Sequence, residues 1–334
     1  MKKKFGQLIK NILVTVSLPV GLWMILFLVT KGRFGTLETI VAVLRTSAVP
    51  LLIGMAMSFN MMMNMWDFST GAVIYAAAIF AANISNELSM GIPGLCLFCI
   101  VIAVALSAFS GFIYNRMRIP CLVLSIGLAM VYEALPSMFI KNSTGKIGIL
   151  SGYLAQQPWS LLIVAGAFVL FYVLYNYTVI GKDIQAIGAN IVVANNAGVN
   201  LDRVKFFSFV IGGFFLGLAA IEHISLNISV SAASGFSSSN IIFDSMMGVF
   251  IGVVLSKYCN YCVSVVVGVI TIRMLGTGLV ACGLSTQARS ITTGIFLLVL
   301  LVYSANKGAL AALRERKRIA QEANAAYDAV KQPK

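Results

Sequence analysis

Charge is the scarce ingredient of this chain. Asp, Glu, Lys and Arg together make up 10% of its 334 residues, against about 25% in a soluble domain. That shortfall excludes an ordinary water-soluble globule. Histidine is scarcer still, with His223 the only one. A histidine-rich metal centre or a Ser–His catalytic arrangement therefore has little to be built from. No Gly-x-x-x-x-Gly-Lys-Ser/Thr stretch occurs. Gly145-Lys146 and Gly181-Lys182 each lack the preceding glycine and the following hydroxyl residue, which argues against ATP hydrolysis by the chain itself. The polar–apolar alternation of a transmembrane barrel is also missing. Six cysteines (Cys96, Cys99, Cys121, Cys259, Cys262 and Cys282) lie in or beside apolar segments. The Cys259-x-x-Cys262 pair has no second pair and no histidine nearby. All six read as small packing residues, not as a disulfide frame or a metal clip. No metal and no cofactor is expected.

What is there is apolar sequence, 59% of the chain, in continuous runs. A helix of about 20 such residues crosses roughly 30 Å of hydrocarbon. The runs predict an all-α polytopic membrane protein with about ten crossings, some broken or re-entrant. They fall near 11–30, 46–63, 69–83, 92–114, 121–140, 159–177, 206–226, 241–255, 261–284 and 291–303. Residues 1–334 form one membrane domain, with a polar island at 178–205 and a charged, helical tail from 306 to 334. Lys2-Lys3-Lys4 precedes the first run. That run is long for a signal peptide and no Ala-x-Ala site follows, so it is read as a retained span.

The net charge of +13 does not imply nucleic acid, because the positive residues sit in short segments between apolar runs. Lys2, Lys3, Lys4 and Lys10, then Arg116 and Arg118, then Lys182, Arg203 and Lys205, then the tail with Arg314, Arg316, Lys317 and Arg318 share one side of a ten-span arrangement. By the positive-inside bias that side is the cytoplasm, with both termini on it. This pattern suits a bacterial inner (plasma) membrane. The tail could also meet anionic lipid headgroups.

The island is the longest polar interruption. Ile184, Ile187, Ile191 and Ala194 recur at three and four residues, predicting a short helix with one apolar face over 183–194. Gly188 would permit close approach by another surface. Gly198 would end the helix, and Asn200 would cap a further one beginning at Leu201, with Asp202 in its first turn. Two readings remain open on spacing alone: a compact knob on which another protein pushes, or an ordinary solvated loop.

The stretch from Ile180 to Lys205 resembles the signature loop of ribose-type ABC-importer permeases, within the branched-chain amino acid and monosaccharide permease superfamily. Gly181, Ala186, Ile187, Gly188, Asn190, Ala194, Gly198 and Lys205 stand at matching positions. Gly212 to Ala220 resembles the family's small-residue span, Asp67-Phe-Ser-Thr-Gly-Ala72 its Ile-Asp-Leu-Ser-Val-Gly element, and Arg118-Ile-Pro120 its basic turn. The chain departs from the pattern at Met65 and Trp66, where two glycines are usual, at Glu133-Ala134 in place of Arg-Gly, and at Asp244 to Gly252. It is identified as a divergent member. The resemblance implies a permease subunit and not an enzyme, forming the path for a sugar or sugar-like small polar solute. It also implies a separate ATP-binding cassette ATPase, a second permease chain (identical or paralogous) and an extracytoplasmic solute-binding protein. The coupling residues would be Gly181, Ala186, Ile187, Gly188, Asn190, Ala194, Gly198 and Arg203.

Several polar residues lie in apolar surroundings. Asn60 and Asn64 belong to an Asn-Met-Met-Met-Asn-Met run that suits a protein-lined cavity better than lipid. Asp67 and Ser69 fall in the following turn, where Asp67 could cap a helix or shape a gate. Glu133, Asp244 and Arg273 are costly facing lipid and are expected to line the translocation path or to form structural pairs. Glu222-His223 is expected at the membrane interface near the outer end of its span. A second reading stays open, an ion-driven secondary transporter with Glu133, Glu222, Asp244 and Arg273 as its relay.

Overall fold

The computed structural model describes residues 2–117 and 119–283, together with isolated positions between 285 and 302. For 2–14 and 149–151 only the backbone is described. The tail 306–334, most of the expected crossing at 291–303, and Arg118 lie outside the described residues. The chain divides into two compact units, Met1–Leu284 and Ser285–Lys334, and everything below concerns the first.

Helices α1 (Lys2–Val29), α2 (Leu37–Met62), α3 (Thr70–Glu87), α4 (Gly91–Met117), α5 (Cys121–Phe139) and α6 (Trp159–Tyr177) are followed by the short α7 (Val179–Ala189) and α8 (Ile191–Asn196). Then come α9 (Leu201–Asn227), α10 (Asn240–Leu255) and α11 (Tyr261–Ala281). Among the described residues seven helical stretches are long and apolar enough to cross a membrane: α2, α4, α5, α6, α9, α11, and α10 with the turn before it. The apolar part of α1, Thr15–Val29, is shorter. The helices sit where the first nine expected crossings do, but the expected ten spans are not reached among the described residues.

Helix α2 is the axis of the packing. Every residue from Ser47 to Met61 is buried. Phe59 sits among Phe171 of α6 and Phe215 of α9, with ring centroids 5.3 and 6.1 Å away. Helix α3, not among the seven, is also largely enclosed: from Thr70 to Ala82 only Tyr75 and Phe80 are part-exposed. Its alanines let neighbours approach closely.

Small residues set the closest helix approaches. A Cβ on Gly213 of α9 would stand 2.9 Å from the Val104 Cα of α4, and one on Gly217 would stand 2.6 Å from the Ile100 Cα. Helices α10 and α11 approach in the same way, with Gly268 against the carbonyl oxygen of Gly248.

The loops between α5 and α6 and between α9 and α10 are joined by a short sheet. Strand β1 (Thr144–Lys146) and strand β2 (Ser229–Ser231) run antiparallel, with Gly145 opposite Val230. Asn83 and Asn86 of α3 donate their amides to the carbonyls of Thr144 (3.1 Å) and Lys146 (2.7 Å), fixing the sheet against the end of α3. No alternation of side chains announces three-residue strands, which explains why the sequence does not show them.

Replacing Gly268 with leucine should overpack the α10–α11 contact at a cost of about 1–3 kcal/mol. The expected readout is a lower unfolding midpoint of the purified protein in detergent, with Gly127→Leu, in open space, as the neutral control.

Candidate functional site

The island is built from three capped helix starts. The Thr178 hydroxyl accepts the Gly181 N–H (3.1 Å) at the head of α7. The Asn190 side-chain oxygen accepts the N–H groups of Val192 (3.0 Å) and Val193 (3.1 Å) at the head of α8. The Asn200 oxygen accepts the Arg203 N–H (3.0 Å) at the head of α9. Gly198, at φ +88°, ends α8 as expected.

The single helix expected over 183–194 is therefore two. The chain breaks at Asn190, in an extended conformation, because its side chain satisfies the next helix's free donors. The break also reorders the apolar face. Ile184, Ile187 and Ala194 are buried, but Ile191 turns outward with Val192 and Val193.

The expected coupling residues divide by direction. Gly181, Ile187 and Ala194 face inward, and Gly188 is half-buried. A Cβ on Gly181 would strike the carbonyls of Leu174 and Tyr175 at the end of α6. A Cβ on Gly188 would strike the carbonyl oxygen of Met62, the last residue of α2. The close approach foreseen at Gly188 is thus made by this chain's own α2. Ala186, Asn190, Gly198 and Arg203 are exposed. The outward apolar cluster Ile191–Val193 was missed, because its spacing is consecutive and not helical.

The interior polar residues fall into separate groups. Asn60 is buried between α2 and α9, its side-chain oxygen accepting the Ser208 hydroxyl (2.6 Å). Asn64 is exposed at φ +57° in the turn after α2. Asp67 lies further along that turn and accepts both the N–H (2.9 Å) and the hydroxyl (2.6 Å) of Ser69. Glu133 of α5 is buried. Its two oxygens accept the N–H groups of Phe236 and Ser238, each at 2.8 Å. Asp244 of α10 and Arg273 of α11 form an ion pair at 3.0 Å, one of the alternatives set out for these charges. Glu222, near the end of α9, is fully enclosed by protein and accepts the Ser160 hydroxyl (3.0 Å), while His223 packs on the Tyr75 ring.

Residues 39–304 match the family model described as branched-chain amino acid transport system / permease component. The chain belongs to this permease family. The ribose import permease protein RbsC of Haemophilus influenzae is 26% identical over 217 residues, 61% of this chain and 66% of that protein. The probable ABC transporter permease protein YphD of Escherichia coli K12 is 28% identical over 175 residues, 52% of this chain and 51% of that protein. The autoinducer 2 import system permease protein LsrC of Yersinia pseudotuberculosis is 25% identical over 215 residues, 60% of this chain and 58% of that protein. The aligned stretches span from about half to just under two thirds of these relatives.

In this chain, Gly188→Leu should lift α7 from the end of α2, costing about 1–3 kcal/mol through overpacking. The measurement is the unfolding midpoint in detergent. An unchanged midpoint would mean that α7 does not rest on Met62.

Proposed function

We propose that this chain is the membrane-spanning permease subunit of an ABC importer for a sugar or sugar-like small polar solute, driven by a separate ATPase. One observation carries the reading. The island presents an apolar cluster outward at Ile191–Val193, while Gly188 seats α7 directly on the end of the central helix α2. An outward patch so placed suits a partner that moves α2. The names of the relatives, importers of ribose and of autoinducer 2, support a sugar-like cargo.

In this scheme the island faces the cytoplasm with both termini, and the chain lies in a bacterial inner membrane. Two ATPase subunits close on ATP, and the island, gripped by one of them, shifts the helices between states open to opposite sides. Energy enters only through contacts that differ between those states. A second permease chain, identical or paralogous, completes the path, and an extracytoplasmic binding protein delivers the solute. The permease does no covalent chemistry. Phosphoryl transfer belongs to the ATPase. Pairing of Asp244 with Arg273, and the backbone bonds held by Glu133, favour this reading over an ion-coupled relay.

Uptake into proteoliposomes is the test. It should require the ATPase and ATP, and uptake driven by an ion gradient with no ATPase present would sink the proposal. The double variant Val192→Asp, Val193→Asp should insert normally yet retain at most a tenth of the ATPase on affinity purification. That loss corresponds to about 1.4 kcal/mol or more of binding.

A further inference from the structure

The crossings containing α3 and α10 are each only partly helical. Helix α3 has 18 residues and α10 has 16, or about 27 and 24 Å at 1.5 Å per residue, against roughly 30 Å of hydrocarbon. The non-helical remainder enters from opposite ends. From β2 the chain runs back alongside α3. The sheet is fixed at Ile79 and Asn83, but Ser238 lies against Gly71, in the first turn of α3. The eight to twelve helical residues between these levels mean a descent of about 12–18 Å. Ala232 to Ser238 makes that descent and closes in a turn at its foot, where the Ser237 N–H donates to the Ser234 carbonyl (3.2 Å). The segment 63–69 approaches from the island end, placing Trp66 on Phe250 (4.9 Å) and Phe68 against both Phe236 (6.2 Å) and Phe243 (6.5 Å). The two inserts meet there.

Helix α5 holds both. Ser125 donates its hydroxyl to the Trp66 carbonyl (3.3 Å), and Glu133 takes the N–H groups at the tip of the other insert. The tip has two sides. Ser238 and Ser239 are packed inside, whereas Ser234, Ser237 and Asn240 are exposed. One turn beyond Asn240, on the same face of α10, is Asp244 with its partner Arg273, both partly exposed. A polar stripe at that depth is not a lipid-facing surface, because hydrocarbon offers it no hydrogen bonds.

We infer that Ser234, Ser237, Asn240 and the Asp244–Arg273 pair form the wall along which an uncharged, hydroxyl-rich solute passes, and that Glu133 is the positioning residue that holds this wall in place. The stripe offers hydroxyl and amide hydrogen bonds, and the full charges among its described residues are opposite and in contact. That chemistry matches a neutral polyol and gives an anion no net attraction. Glu133 touches backbone and not the open side, so it acts through the tip. This inference rests on the importer reading for the direction of transport, but its test needs no uptake.

The test uses the full permease with its co-purifying subunits in lipid nanodiscs, with the six native cysteines replaced by serine or alanine. A charged, water-soluble thiol reagent should label Asn240→Cys and Ser237→Cys. It should not label Val254→Cys, an exposed apolar position on the same helix. Asn240→Cys as inert as Val254→Cys would overturn the wall. Neutral sugars (ribose, galactose) should slow labelling of Asn240→Cys at least threefold, and their acid counterparts (ribonate, galacturonate) should not. Protection by an acid, or by neither neutral sugar, would overturn the solute class. Ser239→Cys, buried in the native turn, should become reactive when Glu133→Ala is added. Glu133→Gln, which keeps one carbonyl acceptor, should give a smaller increase and serves alone if the alanine variant is not monodisperse. Ser239→Cys that stays inert in both variants would overturn the role of Glu133. Labelling can fail while ATP-driven uptake persists, or hold while it fails, so the two readings fall separately.

Discussion

A peptide group inside a bilayer has no water to bond to, so each departure from helix must be answered by another part of the protein. Most of this chain meets that constraint by being helical. Where it does not, at 63–69 and 232–239, named side chains supply the missing partners. Glu133 accepts two backbone N–H groups. Ser125 reaches the Trp66 carbonyl. Asp67 accepts its neighbour's N–H. The surrounding packing depends on these few bonds, since without them the inserts could not sit against α3, α5 and α10.

The consequence for the charged residues is a division of labour that composition alone does not reveal. Asp67 and Glu133 stabilise backbone. Asp244 and Arg273 neutralise one another across α10 and α11. Glu222 sits apart, enclosed beside Ser160. Sequence reasoning could pick these residues out, because a charge in an apolar run is conspicuous. It could not sort them, because partners such as Phe236 and Ser238 lie 103 and 105 positions from Glu133.

Much of the architecture was legible for a simple reason. Long apolar runs can do little in water except cross a membrane or fill a core, and the helices at 121–139 and 159–177 fall almost where the runs did. The island's caps at Asn200 and Gly198 were also readable, since capping is a local matter. Two features were not. The break at Asn190 was hidden under an apolar spacing that continues through it. The β1–β2 pair joins loops whose strands are too short to carry a pattern.

The seat of α7 on α2 has a mechanical consequence. Among the described residues no hydrogen bond joins Gly188 to Met62; the two meet only by close packing. Such a contact bears compression and has no grip under tension. Through it α7 can drive α2 but cannot draw it back. A pull on the island is borne elsewhere: by the chain itself, continuous with α6 and α9, and by Thr178 and Gln185, whose hydrogen bonds to Leu174 and Tyr175 tie it to the end of α6.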